Sequence, residues 1–132
     1  MARSESVTCN GERFTVEWCN AANGRCQARE YYNALVVEDR AKALALFQRM
    51  AAFGKIYDTE KFNQESDKLY VFKPQPHRFF CFFVRGRRIL VVAAYQKQGQ
   101  RAPRREIDRA ESVRQSWLAR VEERGHGEEK DR

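Results

Sequence analysis

Three apolar segments lie close together in the second half of the chain, and they constrain the fold more than any other feature. They cover residues 69–72, 78–84 and 89–95. Short runs rich in aromatic and β-branched residues are typical of strands. The links between them are too short for the crossover that parallel neighbours need. The sequence therefore predicts an antiparallel meander, in which residues 85–88 form a hairpin loop and Gly86 adopts a positive φ.

The middle segment is apolar on both faces, which predicts a central strand. Residues 13–19 alternate, with Phe14, Val16 and Trp18 facing one way and polar residues facing the other. This alternation predicts a further strand with one buried face.

Helical patterns surround these strands. Residues 25–35 are predicted to form a short helix. Asp39 is then expected to cap a second helix, with apolar residues at helical spacing up to Met50 and Gly54 just past its end. Pro103 is expected to open a third helix, because its fixed φ suits a first turn. Its predicted buried stripe consists of Ile107, Ala110, Val113, Trp117, Leu118 and Val121.

The resulting order, β-α-α-β-β-β-α, predicts an α+β domain with a small antiparallel-rich sheet and helices packed on one face. The 132 residues suit a single domain. We expect residues 1–11 to form a flexible lead, residues 12–124 the domain and residues 125–132 a frayed tail. Residues 55–67 are polar and are predicted to be a connector.

The apolar runs are short. The longest covers residues 79–84, whereas a membrane span needs about 20 apolar residues. No apolar signal segment is seen near the N-terminus, so a cytoplasmic protein without membrane contact is expected. Cys9, Cys19, Cys26 and Cys81 have no CxxC spacing, so we expect free thiols, no metal site and no cofactor. Cys81 lies in a strand pattern and is predicted to be a core residue.

The positive charge is concentrated in one part of the chain. The net charge is +7, and the stretch from residue 68 to residue 105 contains ten basic residues and no acidic one. They are Lys68, Lys73, Arg78, Arg85, Arg87, Arg88, Lys97, Arg101, Arg104 and Arg105. Such a stretch favours a polyanionic partner, most often nucleic acid. The alternative is a solvated basic surface that only aids solubility.

Two tyrosines, Tyr70 and Tyr95, end or flank the predicted strands. Aromatic rings interleaved with basic groups are typical of surfaces that bind single-stranded RNA, because the rings stack on bases. The alternative is that both are ordinary sheet residues, since tyrosine favours strands.

RNA carries its own nucleophile, the 2′-hydroxyl. A ribonuclease therefore needs a base, an acid and positive charge at the phosphorane, and needs no metal. Arg78, Lys73 and Lys97 are the candidate cations. His77 is the candidate acid or base, because histidine exchanges a proton near neutral pH. The alternative for His77 is a surface histidine beside an arginine that binds a phosphate or a carboxylate.

Several short motifs follow one another along residues 41–118. They are Phe53-Gly54, Lys68-Leu69-Tyr70-Val71-Phe72-Lys73, His77-Arg78-Phe79-Phe80, Tyr95-Gln96-Lys97 and Pro103-Arg104-Arg105-Glu106-Ile107. In this order and spacing the chain resembles the RelE/HigB branch of the RelE/ParE toxin superfamily, in particular its small phage-derived members. Lys73 stands where many members have arginine, and Gln98 replaces the second lysine of a Lys-Lys pair. The family's catalytic residues near the C-terminus have no clear match here.

The resemblance implies a β-sheet cradle with two N-terminal helices, and a type II toxin that cuts mRNA in the ribosomal A site. Arg78 corresponds to a strand arginine that contacts phosphate, Lys97 to the first lysine of the pair, and Tyr95 to the aromatic residue before it. The expected wider RNA-binding surface consists of Lys68, Tyr70, Arg85, Arg87, Arg88, Arg101, Arg104 and Arg105.

The resemblance also implies partners. These are the ribosome with its mRNA and a small antitoxin, often of the helix-turn-helix type, which holds the toxin silent. An acidic or helix-rich antitoxin segment is expected to neutralise the basic face. Two alternatives remain: a ParE-like protein that inhibits gyrase without cutting RNA, and a basic protein that only binds nucleic acid.

Overall fold

The computed structural model describes residues 7–124. Within that range, six strands form one sheet and three helices pack against it, which confirms the predicted α+β class. In chain order the elements are β1 Val7–Asn10, β2 Thr15–Trp18, α1 Gln27–Asn33, α2 Val37–Phe53, β3 Phe62–Gln64, β4 Tyr70–Phe72, β5 His77–Val84, β6 Arg88–Gln96 and α3 Arg104–Arg124. The predicted tail and the first six residues of the predicted lead fall outside the described residues.

The strand order across the sheet is β1-β2-β6-β5-β4-β3. The predicted antiparallel meander of β4, β5 and β6 is confirmed, and β5 lies in the middle as predicted. In the loop between β5 and β6, Gly86 has a φ of 89° and Arg87 a φ of 57°. The sequence did not predict that β2 pairs with β6 in parallel, because that pairing joins segments far apart in the chain.

The helices cover both faces of the sheet, so the prediction of helices on one face is wrong. Alternate residues of β5 belong to two separate cores. Phe79 packs beneath α1 and α2 with Phe47, whereas Phe80 and Phe82 pack beneath α3 with Ala110. The physical reason is that a strand apolar on both faces needs apolar cover on both faces.

Two edge strands were also missed. Residues 7–10, predicted to be part of a flexible lead, form β1, and residues 62–64, predicted to be part of a connector, form β3. Both strands are short and mostly polar, so their sequences lack the apolar alternation that marks a half-buried strand. Their pairing partners, β2 and β4, determine their structure.

The ends of α2 show one correct and one wrong expectation. Gly54 ends the helix as predicted, with a φ of 79° and its N–H donating to the Met50 carbonyl at 2.8 Å. Asp39 does not cap the helix, because Val36 is the N-cap and makes no side-chain capping bond. The Asp39 carboxylate instead accepts a hydrogen bond from His77.

Cys81 is fully buried, as predicted, and burial raises the pKa of its thiol. Cys19 is also buried, and its pKa rises to about 12 because burial disfavours the thiolate. Among the described residues, no helix combines the length and apolarity that a membrane crossing requires.

Candidate nucleic-acid interface

Arg78 and Tyr95 form a cross-strand pair at one end of the two central strands. The Arg78 side chain lies close against the sheet, since the residue is only 8% exposed. Its Nη1 donates to Gln75 Oε1 and to the His77 carbonyl, both at 3.1 Å. The Tyr95 ring stacks on Phe80 with ring centroids 5.6 Å apart. The pair therefore presents a fixed cation beside a fixed aromatic ring.

Lys73 and Lys97 lie close enough to Arg78 to form one positive group with it. The Lys73 ammonium donates to the Thr59 carbonyl at 3.0 Å. Its pKa is lowered, first by burial and then by repulsion from Arg78, with Lys97 adding to that repulsion. The Lys97 backbone N–H donates to the Pro76 carbonyl at 2.8 Å, which fixes the end of β6 beside the start of β5. Four residues named from the sequence, Arg78, Tyr95, Lys73 and Lys97, are therefore brought together; we call them the cationic cluster.

Two carboxylates belong to the surroundings of the cationic cluster, and the sequence did not identify them. Burial lowers the pKa of Arg78, and the charge of Glu65 opposes that shift. Burial raises the pKa of Tyr95, and the charges of Glu65 and Glu106 raise it further. Glu65 follows β3 and Glu106 lies in the first turn of α3, so only the tertiary structure brings Glu65 near Arg78 and both carboxylates near Tyr95.

His77 is separated from this cluster by the sheet itself. Successive side chains of a strand point to opposite faces, so His77 faces α1 and α2 while Arg78 faces the other way. His77 is 5% exposed and both ring nitrogens are bonded. Nδ1 lies 2.7 Å from the Tyr31 hydroxyl and Nε2 lies 2.9 Å from Asp39 Oδ2. The expected alternative, a surface histidine, is therefore wrong.

No local sequence pattern indicates that His77 contacts Tyr31 and Asp39; we call these three residues the trio. Tyr31 stands on a short helix of mixed composition, and Asp39 matched a helix cap. Their meeting depends on how α1 and α2 pack over the start of β5.

The basic residues of the hairpin loop lie at the far end of the sheet. Arg85 and Arg87 follow the last residue of β5, whereas Arg78 is its second residue. At about 3.3 Å per residue, the two ends are about 20 Å apart along the strand. Arg88 is held by a bidentate ion pair with Glu17, with contacts of 2.8 and 3.0 Å, and lies over the Trp117 ring. This loop is thus a separate basic region from the cationic cluster.

The other predicted RNA-binding residues are distributed along the α3 side and the β4 edge. Lys68 and Arg104 line one shallow depression of about 440 Å³. Arg104 and Arg105 lie in the first turn of α3, paired with Asp108 and Glu106, and Arg101 is exposed in the loop before it. Tyr70 is packed between Phe62 and Phe83, with ring centroids 5.8 and 5.0 Å away. The Tyr70 ring is therefore packed against other aromatic side chains and is less available to stack on a base.

The described residues contain no group of three or more potential metal ligands. What the cationic cluster offers is positive charge, hydrogen-bond donors and one aromatic face. These are the groups that bind a phosphate with an adjacent base.

Together, the fold and cluster define a class: a small α+β protein whose central strands carry arginine and lysine at one end. The sequence model described as phage-derived protein Gp49-like (DUF891) matches residues 30–115. The chain therefore belongs to this Gp49-like family, which is RelE-like and toxin-like. No curated protein matches the chain significantly. The matched range includes every residue of the cationic cluster and of the trio.

Proposed function

We propose that this protein is the toxin of a type II toxin-antitoxin system and that it cuts mRNA on the ribosome. Family membership and fold support a toxin of this general kind. The observation that carries the proposal is the cationic cluster, in which Arg78, Lys73 and Lys97 share one end of the central strands with Tyr95. A cognate antitoxin is part of the proposal.

The proposed chemistry uses the RNA's own 2′-hydroxyl. The hydroxyl loses its proton, its oxygen bonds to the adjacent phosphorus and the bond from phosphorus to the 5′ oxygen breaks. The products are a 2′,3′-cyclic phosphate and a 5′-hydroxyl, whose oxygen takes its proton from water. Arg78 and Lys97 stabilise the extra negative charge of the phosphorane. Tyr95 offers its ring to a neighbouring base.

Lys73 is suited to take the proton from the 2′-hydroxyl. A lysine whose pKa is lowered by burial and by neighbouring cations holds its neutral form more readily, as a general base requires. Both ring nitrogens of His77 already have hydrogen-bond partners. We therefore propose that His77 positions the start of β5 and takes no direct part in proton transfer.

The test is a cell-free bacterial translation reaction in which the 5′ ends of the mRNA are mapped with and without ribosomes. We expect new ends that require ribosomes. Arg78→Ala should reduce them at least about a hundredfold, as expected for loss of one transition-state contact of about 3 kcal/mol. Arg29→Ala, which removes an exposed arginine of α1, is the matched control and should cut like the unaltered protein.

Thermal melts of both variants separate loss of function from loss of fold. Undiminished cutting by a folded Arg78→Ala protein would contradict the assigned role. Intact mRNA with the unaltered, folded protein would contradict cleavage altogether. In that case, gyrase inhibition and RNA binding without cleavage would be measured next.

A further inference from the structure

A second positively charged region lies on the other side of Lys73, outside the arrangement just described. It is an open groove of about 880 Å³ between one face of α2 and residues 55–61. Its cations are Lys42, Arg49, Lys55, Lys61 and Lys73, and its one lining carboxylate is Asp58. Lys42 is already paired with Asp39 at 3.6 Å. We call it the α2 groove.

The floor and walls of the α2 groove are apolar. They are formed by Ala45, Leu46, Phe53, Ile56, Tyr57 and Pro74. Phe53 is 68% exposed and Tyr57 is 82% exposed. The Lys55 ammonium lies 5.7 Å from the centre of the Tyr57 ring, so charge directly borders the apolar surface. Large exposed apolar side chains grouped within a polar rim are typical of an interaction surface.

We infer that the α2 groove binds an acidic amphipathic helix of a partner protein. The apolar floor fits the apolar face of such a helix, and the cations other than Lys42 fit carboxylates along its edges. One wall of the groove is itself helical, since residues 42, 45, 46, 49 and 53 share one face of α2. A helix face with small and aliphatic residues is suited to packing against a second helix.

RNA is the competing occupant, because aromatic rings and cations also bind single strands. The floor argues against it. Ala45, Leu46, Ile56 and Pro74 are aliphatic and offer no ring on which a base can stack.

The position of Lys73 gives the docking a consequence. Lys73 lines the α2 groove and is also a member of the cationic cluster. A bound acidic helix that pairs with Lys73 keeps its amine protonated, so Lys73 can no longer take the proton from the 2′-hydroxyl. Docking itself does not depend on RNA cleavage; only this inhibitory consequence rests on the proposed function.

The probe is a labelled synthetic peptide of about 18 residues, with leucine at helical spacing and glutamate elsewhere, which forms a helix about 27 Å long. Its binding is measured by fluorescence anisotropy. A second peptide with lysine in place of every glutamate is the charge control, and an RNA of about 12 nucleotides is the competing ligand. We expect the glutamate peptide to bind and the lysine peptide to bind at least about tenfold more weakly.

The variants locate the binding. A protein carrying both Arg49→Glu and Lys61→Glu should lose at least about tenfold in affinity for the glutamate peptide, and Phe53→Ser should lose a similar factor. Matched controls are Arg29→Glu for charge and Val37→Ser for apolar surface. Val37 is 62% exposed on the same helix but lies outside the groove. Both controls should bind normally.

Three results would overturn the inference. One is no binding of the glutamate peptide, and another is equal loss in the groove and control variants. The third is weaker binding of the RNA to the groove variants with unchanged binding of the glutamate peptide, which would make the groove an RNA-binding surface. Because anisotropy reads binding without cleavage, a failure here is distinguishable from a failure of the proposed nuclease.

Discussion

His77 shows how one residue joins three elements of this fold. Ionised Asp39 can only accept a hydrogen bond, so the Nε2 of His77 is the donor at 2.9 Å. When the imidazole is neutral, its hydrogen lies on Nε2 and Nδ1 accepts from the Tyr31 hydroxyl. The imidazole thereby ties α1 and α2 to the start of β5, immediately before Arg78. Truncating this trio should therefore disturb the position of the cationic cluster without removing any member of it.

The trio should also make folding stability depend on pH. The hydrogen bond from His77, with smaller effects of the His77 and Lys42 charges, lowers the pKa of Asp39. A lowered carboxyl pKa stabilises the folded state above the unfolded value of about 3.9, and this stabilisation is lost as the pH falls through the folded value. Urea unfolding from about pH 7 down to about pH 2 measures it.

Asp39→Asn should flatten this part of the pH profile. Asp108→Asn is the control, because Asp108 is an exposed carboxylate of α3 that pairs with Arg104 at 3.3 Å. The two variants should differ in the slope of stability against pH below about pH 5. Equal slopes would mean that the bond between Asp39 and His77 contributes no net stability.

At the scale of elements, the sequence predicted those whose side chains carry their own signal. The apolar run of β5, the helical spacing of α2 and the Gly54 stop are local patterns, and each element lies where expected. The edge strands β1 and β3 have no such pattern, because backbone pairing with a neighbour determines them. The side on which α3 packs is likewise a long-range outcome. The same limit applies to the candidate site: the sequence names Arg78 and Lys97, but it does not indicate that Asp39 contacts His77 or that Glu65 lies near Arg78.

The two-sided packing of the sheet can be tested with adjacent residues of β5. Phe82 is fully buried beneath α3 with its ring 5.8 Å from Trp117, whereas Phe83 is partly exposed on the other face. Phe82→Ala should lower the free energy of unfolding by about 3–5 kcal/mol. Phe83→Ala is the matched control and should cost clearly less, although its contacts with Phe14 and Tyr70 are lost. Equal costs in chemical denaturation would contradict the packing of α3 on this face.

At the scale of the whole molecule, the basic residues fall into separate regions. The cationic cluster and the α2 groove meet at Lys73, while the Arg85–Arg87 loop lies at the opposite end of β5 and β6. A net charge of +7 attracts RNA from every direction, so overall affinity does not reveal where the strand lies. The salt dependence of binding does, because each phosphate contact releases counterions.

The salt dependence therefore distinguishes the two ends of the sheet. For a single-stranded RNA of about 12 nucleotides, each lost phosphate contact should reduce the slope of log affinity against log salt by about 0.7. Lys97→Ala should reduce the slope by about that amount, and Arg87→Ala should leave it unchanged, although both side chains are exposed. Fluorescence anisotropy between about 50 and 200 mM salt gives both slopes. A reduced slope for Arg87→Ala but not for Lys97→Ala would indicate that the RNA binds at the hairpin loop. Reductions with both variants would mean that one strand spans the sheet from end to end, since about 20 Å of sheet is only a few nucleotides of extended RNA.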